Sequence, residues 1–547
     1  MIILNKFSVS FAKTVALHNI SLQIKSGKRL GVVGESGSGK TMLGLSLMGM
    51  IPEGANLSGS IEVEGQDMTN SSDKLWQKFR ARKIAMVFQE PMSALNPIRR
   101  VGDTLMEPLL VHEGISKNKA RAKALKLFEE VGIPEPLLRL RQFPHELSGG
   151  QRQRVLIALA LACNPKILIA DEPTSALDAN VVLRIIDLLV NLSEARNMGL
   201  VFISHDLKAV SRATNDILVM YKGDIVERGS TKKVLSNPQH TYTKGLLATR
   251  PNLSRQLKND YNNRFRLPTI PEPIPTTRPA KPRLSEFDIK TPLLNVQSIA
   301  KQYRLPRKAM FKPPSIIKAV NEASFTLVKG ETIGIVGESG SGKSTLARLI
   351  MGFEKPNSGV ITFDGNNINA ISSQKLKKLR QRFQMVFQDP YGSLDPRRTV
   401  GWSIAEPLRA ISERHKLEDR VSEALLQVGL GSRDSTRFPH EFSGGQRQRI
   451  AIARAIVTRP ALLVADEAVS ALDVSVQAQI LNLLMDIQDS LGLGILFISH
   501  DLAVVASICD KILVMNDGSI LESGTLREVL VSPKHRYTRT LLMAAGA

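Results

Sequence analysis

An eight-residue segment that occurs twice constrains the fold of this chain more than any other feature of its sequence. The first copy is Gly34-Glu-Ser-Gly-Ser-Gly-Lys-Thr41, and the second is Gly337-Glu-Ser-Gly-Ser-Gly-Lys-Ser344. Each copy follows a short apolar run and precedes a run of helical character, which is the strand–loop–helix setting of a phosphate-binding P-loop. For a single copy, a Gly- and Ser-rich turn without a ligand is the alternative.

The composition of the segment suits triphosphate binding. Triphosphate oxygens need several hydrogen-bond donors close together, and glycines let the chain wrap tightly enough for backbone N–H groups to supply them. Lys40 and Lys343 are expected to reach the outer phosphates, and Thr41 and Ser344 are expected to bind Mg²⁺. The predicted nucleotide-binding residues of the two loops are Gly34, Glu35, Ser36, Gly37, Ser38, Gly39, Lys40, Thr41, Gly337, Glu338, Ser339, Gly340, Ser341, Gly342, Lys343 and Ser344.

The overall composition limits the class of protein. A chain of 547 residues with 43% hydrophobic residues predicts about two to four globular domains. No uninterrupted apolar run is long enough to span a bilayer and the first residues lack a signal-peptide pattern, so we expect a cytosolic polypeptide. The net charge of +22 leaves three interpretations open, namely a membrane-facing surface, a solvated basic surface and nucleic-acid binding. No usual nucleic-acid-binding motif is present, which disfavours the last.

The two cysteines, Cys163 and Cys509, lie in separate halves of the chain and in apolar surroundings. We interpret both as core residues without a chemical role. Two cysteines cannot supply a four-cysteine metal site or an iron–sulfur cluster. No iron–sulfur cluster is therefore expected.

The order of the sequence elements indicates two copies of one domain joined by a linker. Continuous apolar strands alternate with helical patterns, which predicts a largely parallel sheet covered on both faces. We place the first domain at 1–250 and the second at 293–547, with helical insertions at about 90–146 and 389–441. The segment 251–292 contains eight prolines among its 42 residues and is interpreted as an extended linker.

A pair of acidic residues follows one apolar strand in each copy. Asp171 and Asp466 end these strands, where a carboxylate can reach the Mg²⁺ beside a P-loop. Glu172 and Glu467 come next, and a carboxylate there can polarise the water that attacks the γ-phosphoryl group. An acidic pair at a helix N-terminus is the alternative. Because both pairs keep register with a P-loop, we predict metal ligands followed by catalytic bases.

Nearly the whole chain resembles the ATP-binding subunits of ABC transporters. Leu147-Ser-Gly-Gly-Gln151 and Phe442-Ser-Gly-Gly-Gln446 are similar to the signature segment of that family. In the family this segment closes onto the γ-phosphate held by the P-loop of the partner domain. A hydroxyl, two glycines and a free helix N-terminus suit an anion site. The resemblance therefore adds these ATP-binding residues: Ser148, Gly149, Gly150, Gln151, Ser443, Gly444, Gly445 and Gln446.

The resemblance implies roles for several more side chains. Gln89 and Gln388 match the glutamine that contacts Mg²⁺ or its water. The histidines that contact the γ-phosphate correspond to His205 and His500, although a lone histidine after a strand is often structural. The aromatic residues that stack on adenine correspond to Phe11 and Tyr303, for which a core position is the alternative. The D-loops correspond to 175–178 and 470–473.

The family fold is an α/β fold with tandem P-loop NTPase domains. Each domain is expected to contain a RecA-like, mostly parallel sheet core, an antiparallel β subdomain and an inserted α-helical subdomain. The resemblance also implies sites shared between domains. One site would combine Lys40 and Glu172 with Ser443, and the other would combine Lys343 and Glu467 with Ser148.

Four segments are similar to importers of oligopeptides, dipeptides and nickel, including fused ATPases for peptide, glutathione and peptide-antibiotic uptake. They are 88–97, 387–396, 238–247 and 533–542. This resemblance implies ATP hydrolysis that powers import, with ATP and Mg²⁺ as cofactors. It also implies two integral-membrane permease subunits, an indirect substrate-binding protein partner, and a peripheral position on the cytoplasmic face of the bacterial inner membrane.

Two other functions compete with this interpretation. Twin ABC domains also occur in soluble ATPases that act on ribosomes or nucleic acid. The Pro-rich linker and the absence of zinc-binding cysteines disfavour these groups. A nucleotide-binding scaffold without hydrolysis is disfavoured by the presence of both Glu172 and Glu467.

Overall fold

The computed structural model describes residues 1–12, 14–89, 94–174, 177, 179–248, 292–304, 316–410, 417–469 and 472–545. The chain divides into two compact units, Met1–Ala248 and Thr249–Ala547. Apart from Pro292, the predicted linker lies outside the described residues, as do most positions of the two D-loops. In the part of the chain that is described, no helix is both long and apolar enough to cross a bilayer.

The first unit contains one antiparallel sheet and one mostly parallel sheet. Its strands are β1 (Ile2–Phe11), β2 (Thr14–Ile24), β3 (Arg29–Val33), β4 (Asn56–Val63), β5 (Gln66–Asp67), β6 (Ile84–Val87), β7 (Ile167–Asp171), β8 (Gly199–Ile203), β9 (Asp216–Tyr221) and β10 (Asp224–Ser230). The antiparallel sheet has the order β2-β1-β4-β5, and the larger sheet has the order β10-β9-β3-β8-β7-β6. In the larger sheet β10 is antiparallel to β9, whereas the other pairings are parallel.

Hydrophobic residues cover both faces of the larger sheet. Leu168 and Ala170 of β7 pack into one core cluster, while Ile167 and Ile169 pack into another. Successive side chains of a strand point to opposite faces, so a strand covered on both sides must be apolar throughout. The continuous apolar strands therefore predicted this sheet correctly.

Helices connect the strands and form an additional helical group after β6. The helices of the first unit are Lys40–Leu47, Asp73–Phe79, Val101–Glu113, Lys117–Glu130, Pro136–Arg139, Gly149–Leu161, Ala179–Ala195, Leu207–Ala213, Thr231–Ser236 and Thr241–Ala248, with a 3-10 turn at Pro144–Glu146. Lys117–Glu130 buries Ala120, Ala124, Leu127 and Phe128, which recur at the helical spacing that its sequence predicts.

The second unit repeats the strand order of the first. Its strands are β11 (Leu294–Arg304), β12 (Ile316–Leu327), β13 (Thr332–Val336), β14 (Ser358–Phe363), β15 (Asn366–Asn367), β16 (Phe383–Val386), β17 (Leu462–Asp466), β18 (Gly494–Ile498), β19 (Lys511–Asn516) and β20 (Ser519–Thr525). The two sheets have the orders β12-β11-β14-β15 and β16-β17-β18-β13-β19-β20. Both units thus have the same topology, as the internal repeat predicts.

The helices of the second unit follow the same plan. They are Lys343–Ile350, Ser373–Leu379, Pro390–Ser393, Val400–Ala410, Leu417–Gln427, Gly444–Ile456, Val474–Leu491, Leu502–Ile508, Leu526–Val531 and Arg536–Ala545, with 3-10 turns at Ser432–Thr436 and Pro439–Glu441. Cys509 is buried and Cys163 is half-buried, and both contact hydrophobic clusters of their own unit.

The order of the parallel strands brings the predicted site residues to one edge of each large sheet. In the first unit the P-loop follows β3, Asp171 ends β7, and His205 comes two residues after β8. The carboxyl ends of parallel strands meet at the same edge, which is where α/β proteins bind their ligands. The candidate site therefore lies at the end of β3, between the loops that follow β7, β8 and β6.

Candidate nucleotide site

Glycines shape each P-loop because the backbone passes close to other chain segments there. The φ angles of Gly34 and Gly39 are 157° and 100°. A Cβ at Gly34 would lie 2.3 Å from the carbonyl oxygen of Met220, and a Cβ at Gly39 would lie 2.6 Å from that of Ala16. Only glycine avoids these clashes and tolerates such φ values.

The P-loop lysine of each unit is buried and bound to its own loop. The ammonium nitrogen of Lys40 lies 2.8 Å from both the Gly34 and the Glu35 carbonyl oxygens. In the second unit Lys343 donates to the carbonyl oxygens of Gly337 and Glu338 at 2.8 and 2.7 Å. Each loop therefore holds a fixed positive charge beside the N-terminus of the following helix, which suits a phosphate.

The aspartate at the end of β7 is almost completely buried. Burial raises the pKa of Asp171 to about 6, although the nearby Thr41 hydroxyl and Lys40 act to lower it. Among the described residues, none makes a hydrogen bond with its Oδ1 atom. A buried carboxylate oxygen without a partner, beside a threonine hydroxyl, fits a hard divalent cation such as Mg²⁺.

The second unit presents the same oxygen ligands. Ser344 Oγ donates to Asp466 Oδ1 over 3.3 Å. Burial again raises the pKa of Asp466, and the Ser344 hydroxyl acts against this effect. A serine or threonine hydroxyl therefore lies beside the aspartate in both units, and its role as a metal ligand stays a prediction.

The glutamate that follows this aspartate is held by two side chains from other loops. Gln89 Nε2 donates to Glu172 Oε2 over 2.8 Å, and His205 Nδ1 lies 3.2 Å from Glu172 Oε1. In the second unit Gln388 donates to Glu467 over 2.7 Å, and His500 lies 3.5 Å from it.

The backbone at both glutamates is unusual. Their φ angles are 45° and 47°, which is a left-handed backbone conformation that residues other than glycine seldom adopt. The N–H group of Glu172 donates to the carbonyl oxygen of Ile203 over 2.9 Å, which holds this conformation in place. Such strained residues are concentrated at functional sites.

The environment of Glu172 favours its ionised form. Burial acts to raise the pKa of Glu172, but the hydrogen bond from His205, the charges of His205 and Lys40 and the hydrogen bond from Gln89 outweigh it. The pKa therefore lies below its usual range. Adjacent carboxyl groups thus have pKa values shifted in opposite directions, a pattern typical of acid–base sites.

The signature serines begin long helices and are exposed. Ser148 Oγ accepts a hydrogen bond from the Gln151 N–H group over 3.3 Å, and Gln151 Oε1 accepts from the Ser148 N–H group over 3.0 Å. Ser443 and Gln446 form the same reciprocal cap. The glutamine side chains therefore stabilise the helix start, so that the serine hydroxyls lie at an exposed, positively polarised end.

The two predicted adenine-stacking residues have different surroundings. Phe11 is half-buried against the core of the first unit. The Tyr303 hydroxyl donates to Glu354 over 2.6 Å, and the Lys301 ammonium lies 5.4 Å from the centroid of the ring. Stacking on adenine stays a prediction for both residues.

One pair of contacts was not predicted from the sequence. The Tyr242 hydroxyl accepts a hydrogen bond from the Glu35 N–H group in the first P-loop, and Tyr537 accepts one from Glu338 in the second. The available signal was the repetition of a Pro-x-His-x-Tyr-Thr pattern at 238–243 and 533–538. That pattern indicated a subfamily, but it did not indicate a contact with a P-loop.

Comparisons with known proteins identify the family. The model for "ABC transporter" matches residues 17–175 and 320–470, and the model for "Oligopeptide/dipeptide transporter, C-terminal region" matches residues 226–275. The chain is 43% identical over 545 residues to the glutathione import ATP-binding protein GsiA of Salmonella paratyphi A, with coverage of 97% of this chain and 86% of the relative. It is 42% identical over 541 residues to the protein of that name from Escherichia coli strain K12, with the same coverage.

A solved dimeric structure of an ATP-binding cassette bound to ADP and Pi is 29% identical, with a TM-score of 0.39, and the match covers 43% of this chain and 99% of that one. The fold and the site of the present chain define a P-loop ATPase with two nucleotide-binding domains. The chain belongs to the ABC transporter family, which confirms the resemblance found in its sequence.

Proposed function

We propose that the two units hydrolyse ATP to power the import of peptides, or of small peptide-like solutes such as glutathione, through a membrane ABC transporter. The observation that carries this proposal is the glutamate held by a glutamine and a histidine beside a P-loop, present in both units. The extent of similarity to glutathione import proteins supports the direction of transport and the substrate class.

Each side chain of the first site has a proposed role. Lys40 and the loop N–H groups bind the phosphates of ATP. Thr41 and Asp171 would hold Mg²⁺, which neutralises charge on the transferred phosphoryl group. Glu172 accepts the proton of the attacking water, Gln89 orients that carboxylate, and the metal or its water is a second proposed partner of Gln89.

His205 completes the proposed first site. It keeps Glu172 ionised and is available to contact the γ-phosphate. The corresponding residues of the second site are Lys343, Ser344, Gln388, Asp466, Glu467 and His500.

We further propose that Ser148 and Ser443 each bind the γ-phosphate of an ATP molecule. The support is the exposure of both serines at the N-termini of 13-residue helices, Gly149–Leu161 and Gly444–Ile456. An exposed helix N-terminus can bind an anion such as a phosphate group.

The proposed membrane partners are two permease subunits, and the proposed location is the cytoplasmic face of the bacterial inner membrane. In the second unit an apolar groove of about 140 Å³ lies between β16 and the helices Val400–Ala410 and Gly444–Ile456. Its rim carries Phe353 and Phe387, which are 48% and 41% exposed and stacked with ring centroids 6.4 Å apart. A short apolar permease segment would cover these rings.

The groove and the proposed site of the second unit are connected by two consecutive residues. Phe387 immediately precedes Gln388, whose side chain donates to Glu467. A permease that moves this segment would therefore move a hydrogen-bond partner of the proposed base. A substrate-binding protein outside the membrane would act through the permeases.

The decisive experiment replaces both proposed bases, Glu172→Gln together with Glu467→Gln, in the full chain. We expect ATP turnover to fall about 10²- to 10⁴-fold, which is typical of the loss of a general base, while ATP binding is retained. The exposed Glu129→Gln variant is the matched control and should hydrolyse ATP like the wild type. Wild-type turnover in the double variant would refute the assignment of the bases.

Import is tested separately in cells that lack the chain. Wild-type chain should restore uptake of labelled di- and tripeptides or glutathione, and the double glutamate variant should not. Co-purification with ribosomes instead of integral membrane proteins would contradict the transport function.

A further inference from the structure

A tyrosine near the C-terminal end of each unit contacts the P-loop. The Tyr242 hydroxyl accepts a hydrogen bond from the Glu35 N–H group over 3.0 Å, although the two residues are 207 positions apart. The Tyr537 hydroxyl accepts one from Glu338 over 3.1 Å, across 199 positions. Because the same bond is formed in both units, it is a property of the domain and not of one local sequence.

The tyrosine is itself held by a short chain of hydrogen bonds. Glu227 of β10 accepts from the N–H groups of Gln239 and His240 over 2.8 and 3.1 Å. The His240 Nδ1 atom then accepts from the Tyr242 N–H group over 3.2 Å. The matching residues of the second unit are Glu522, Lys534, His535 and Tyr537.

Both tyrosine rings pack against the core of their own unit, but the hydrogen bond does not depend on one particular ring partner. In the first unit the Tyr242 ring lies against Tyr221, with centroids 4.3 Å apart. Tyr221 ends β9, whereas the residue that ends β19 is Asn516, which has no ring. The hydrogen bond to the loop is therefore present in both units, although Tyr221 has no aromatic counterpart at position 516.

The hydroxyl acts on the turn that also holds the P-loop lysine. Lys40 donates to the carbonyl oxygens of Gly34 and Glu35, while Tyr242 accepts from the N–H group of Glu35. If phosphates take over the donors of Lys40, the loop loses those two bonds to its carbonyl oxygens. The tyrosine bond does not depend on the lysine, so it can hold the turn during this exchange.

We propose that Tyr242 and Tyr537 are positioning residues that keep the two P-loops in their binding conformation and thereby increase the affinity for ATP. They act through the backbone of Glu35 and Glu338 and not by contact with the nucleotide. A loop that is already ordered loses less conformational entropy when a ligand binds. The inference rests on ATP binding at the P-loops, which the proposed function includes.

The test is the full chain carrying Tyr242→Phe and Tyr537→Phe, which keeps both rings and removes both hydroxyls. We expect the Kd for a fluorescent ATP analogue and the KM for ATP to rise about three- to tenfold, the effect of losing one hydrogen bond at each site. We expect kcat to stay within about twofold, because the groups proposed for proton transfer are unchanged.

Tyr221→Phe is the matched control, since the Tyr221 hydroxyl makes no hydrogen bond to any described residue. It should leave Kd and KM at wild-type values. An unchanged Kd in the double tyrosine variant, with or without a lower melting temperature, would overturn the proposal.

A second variant distinguishes a failure of this proposal from a failure of the proposed ATP binding at the P-loops. Lys40→Ala together with Lys343→Ala should abolish binding of the analogue. Loss of binding in the lysine variant with normal binding in the tyrosine variant would refute the positioning role alone. Normal binding in the lysine variant would instead refute the P-loop assignment, and the tyrosine proposal would fail with it.

Discussion

Gln89 Nε2 lies 2.8 Å from Glu172 Oε2, which joins the end of β6 to the end of β7 at the proposed base. A carboxylate that accepts a hydrogen bond is fixed in orientation and is stabilised in its ionised form. The glutamine thus affects both where the base points and how readily it is charged. The same pair occurs as Gln388 and Glu467.

Removing this amide should slow chemistry more than binding. For Gln89→Ala together with Gln388→Ala we expect kcat to fall about tenfold, the effect of losing a hydrogen bond to a charged group, with less than about a threefold change in the Kd for ATP. Gln77→Ala removes an exposed amide that bonds to Asp73 and is the control. Wild-type kcat in the double variant would show that the amide does not orient the base.

The raised pKa of Asp171 predicts a pH-dependent effect on stability. Folding raises this pKa from 3.8 to about 6, so the folded state binds more protons than the unfolded state between these values. The Asp171 contribution to stability therefore decreases as pH rises from about 4 to about 6 and then stays low. Glu172, with its lowered pKa, contributes in the opposite direction, because its contribution is lost as pH falls.

The variant Asp171→Asn, measured without Mg²⁺ or nucleotide, tests the direction of this pH dependence of stability. The variant should raise the melting temperature of the first unit at pH 7, where the wild type buries a charge, and should raise it much less at pH 5. Addition of Mg²⁺ should stabilise the wild type more than the variant. Asp216→Asn, on the exposed start of β9, is the control. An equal gain in melting temperature at both pH values would contradict the prediction that the wild type buries a charge at Asp171 at pH 7.

A methyl group at Gly39 should damage the P-loop. Its Cβ would lie 2.6 Å from a backbone oxygen, at a φ angle of 100°. Gly65→Ala is the matched control, because Gly65 has a φ angle of 83° but has open space around it. Both variants should lose about 1 kcal/mol of stability from backbone strain. Calorimetric titration should show at least about a tenfold loss of ATP affinity for Gly39→Ala only, because a displaced P-loop loses several hydrogen bonds to the phosphates.

The exposed aromatic pair of the second unit should be important for permease binding. Phe353→Ala removes a ring that is 48% exposed at the groove, and we expect co-purification with the permeases to weaken about tenfold. Leu426→Ala, at a side chain that is 61% exposed on the helix Leu417–Gln427, is the control. Equal recovery of the permeases with both variants would place their docking surface elsewhere.

The residues whose position in the fold the sequence indicated are those that follow from a local pattern, while their roles stay predictions. A P-loop needs only its glycines, its lysine and the strand–helix setting, so Lys40 and Thr41 could be placed without any tertiary information. Asp171 and Glu172 could be placed because they end a continuous apolar strand. In each case the pattern that places the residue lies within about ten residues of sequence.

The interactions that the sequence did not predict depend on strand order. Glu172 contacts Gln89 and His205 because β7 lies between β6 and β8, an arrangement that neighbours in sequence do not reveal. The pKa values of Asp171 and Glu172 shift in opposite directions because of burial and of these partners. Two adjacent carboxylic acids in the sequence give no indication of such a difference. Tyr242 reaches its loop only after the chain has completed the whole domain.

This last contact has a consequence for biosynthesis. The first P-loop is made within the first tenth of the chain, but the tyrosine that bonds to it is made 207 positions later. Domains of multidomain proteins generally fold as units, from the N-terminal side, while the rest of the chain is still being synthesised. Until residue 242 has left the ribosome, the nascent loop lacks this bond. If Tyr242 has the proposed positioning role, a first unit that stops short of its last helix would bind ATP about three- to tenfold more weakly than the complete unit, the effect of losing one hydrogen bond.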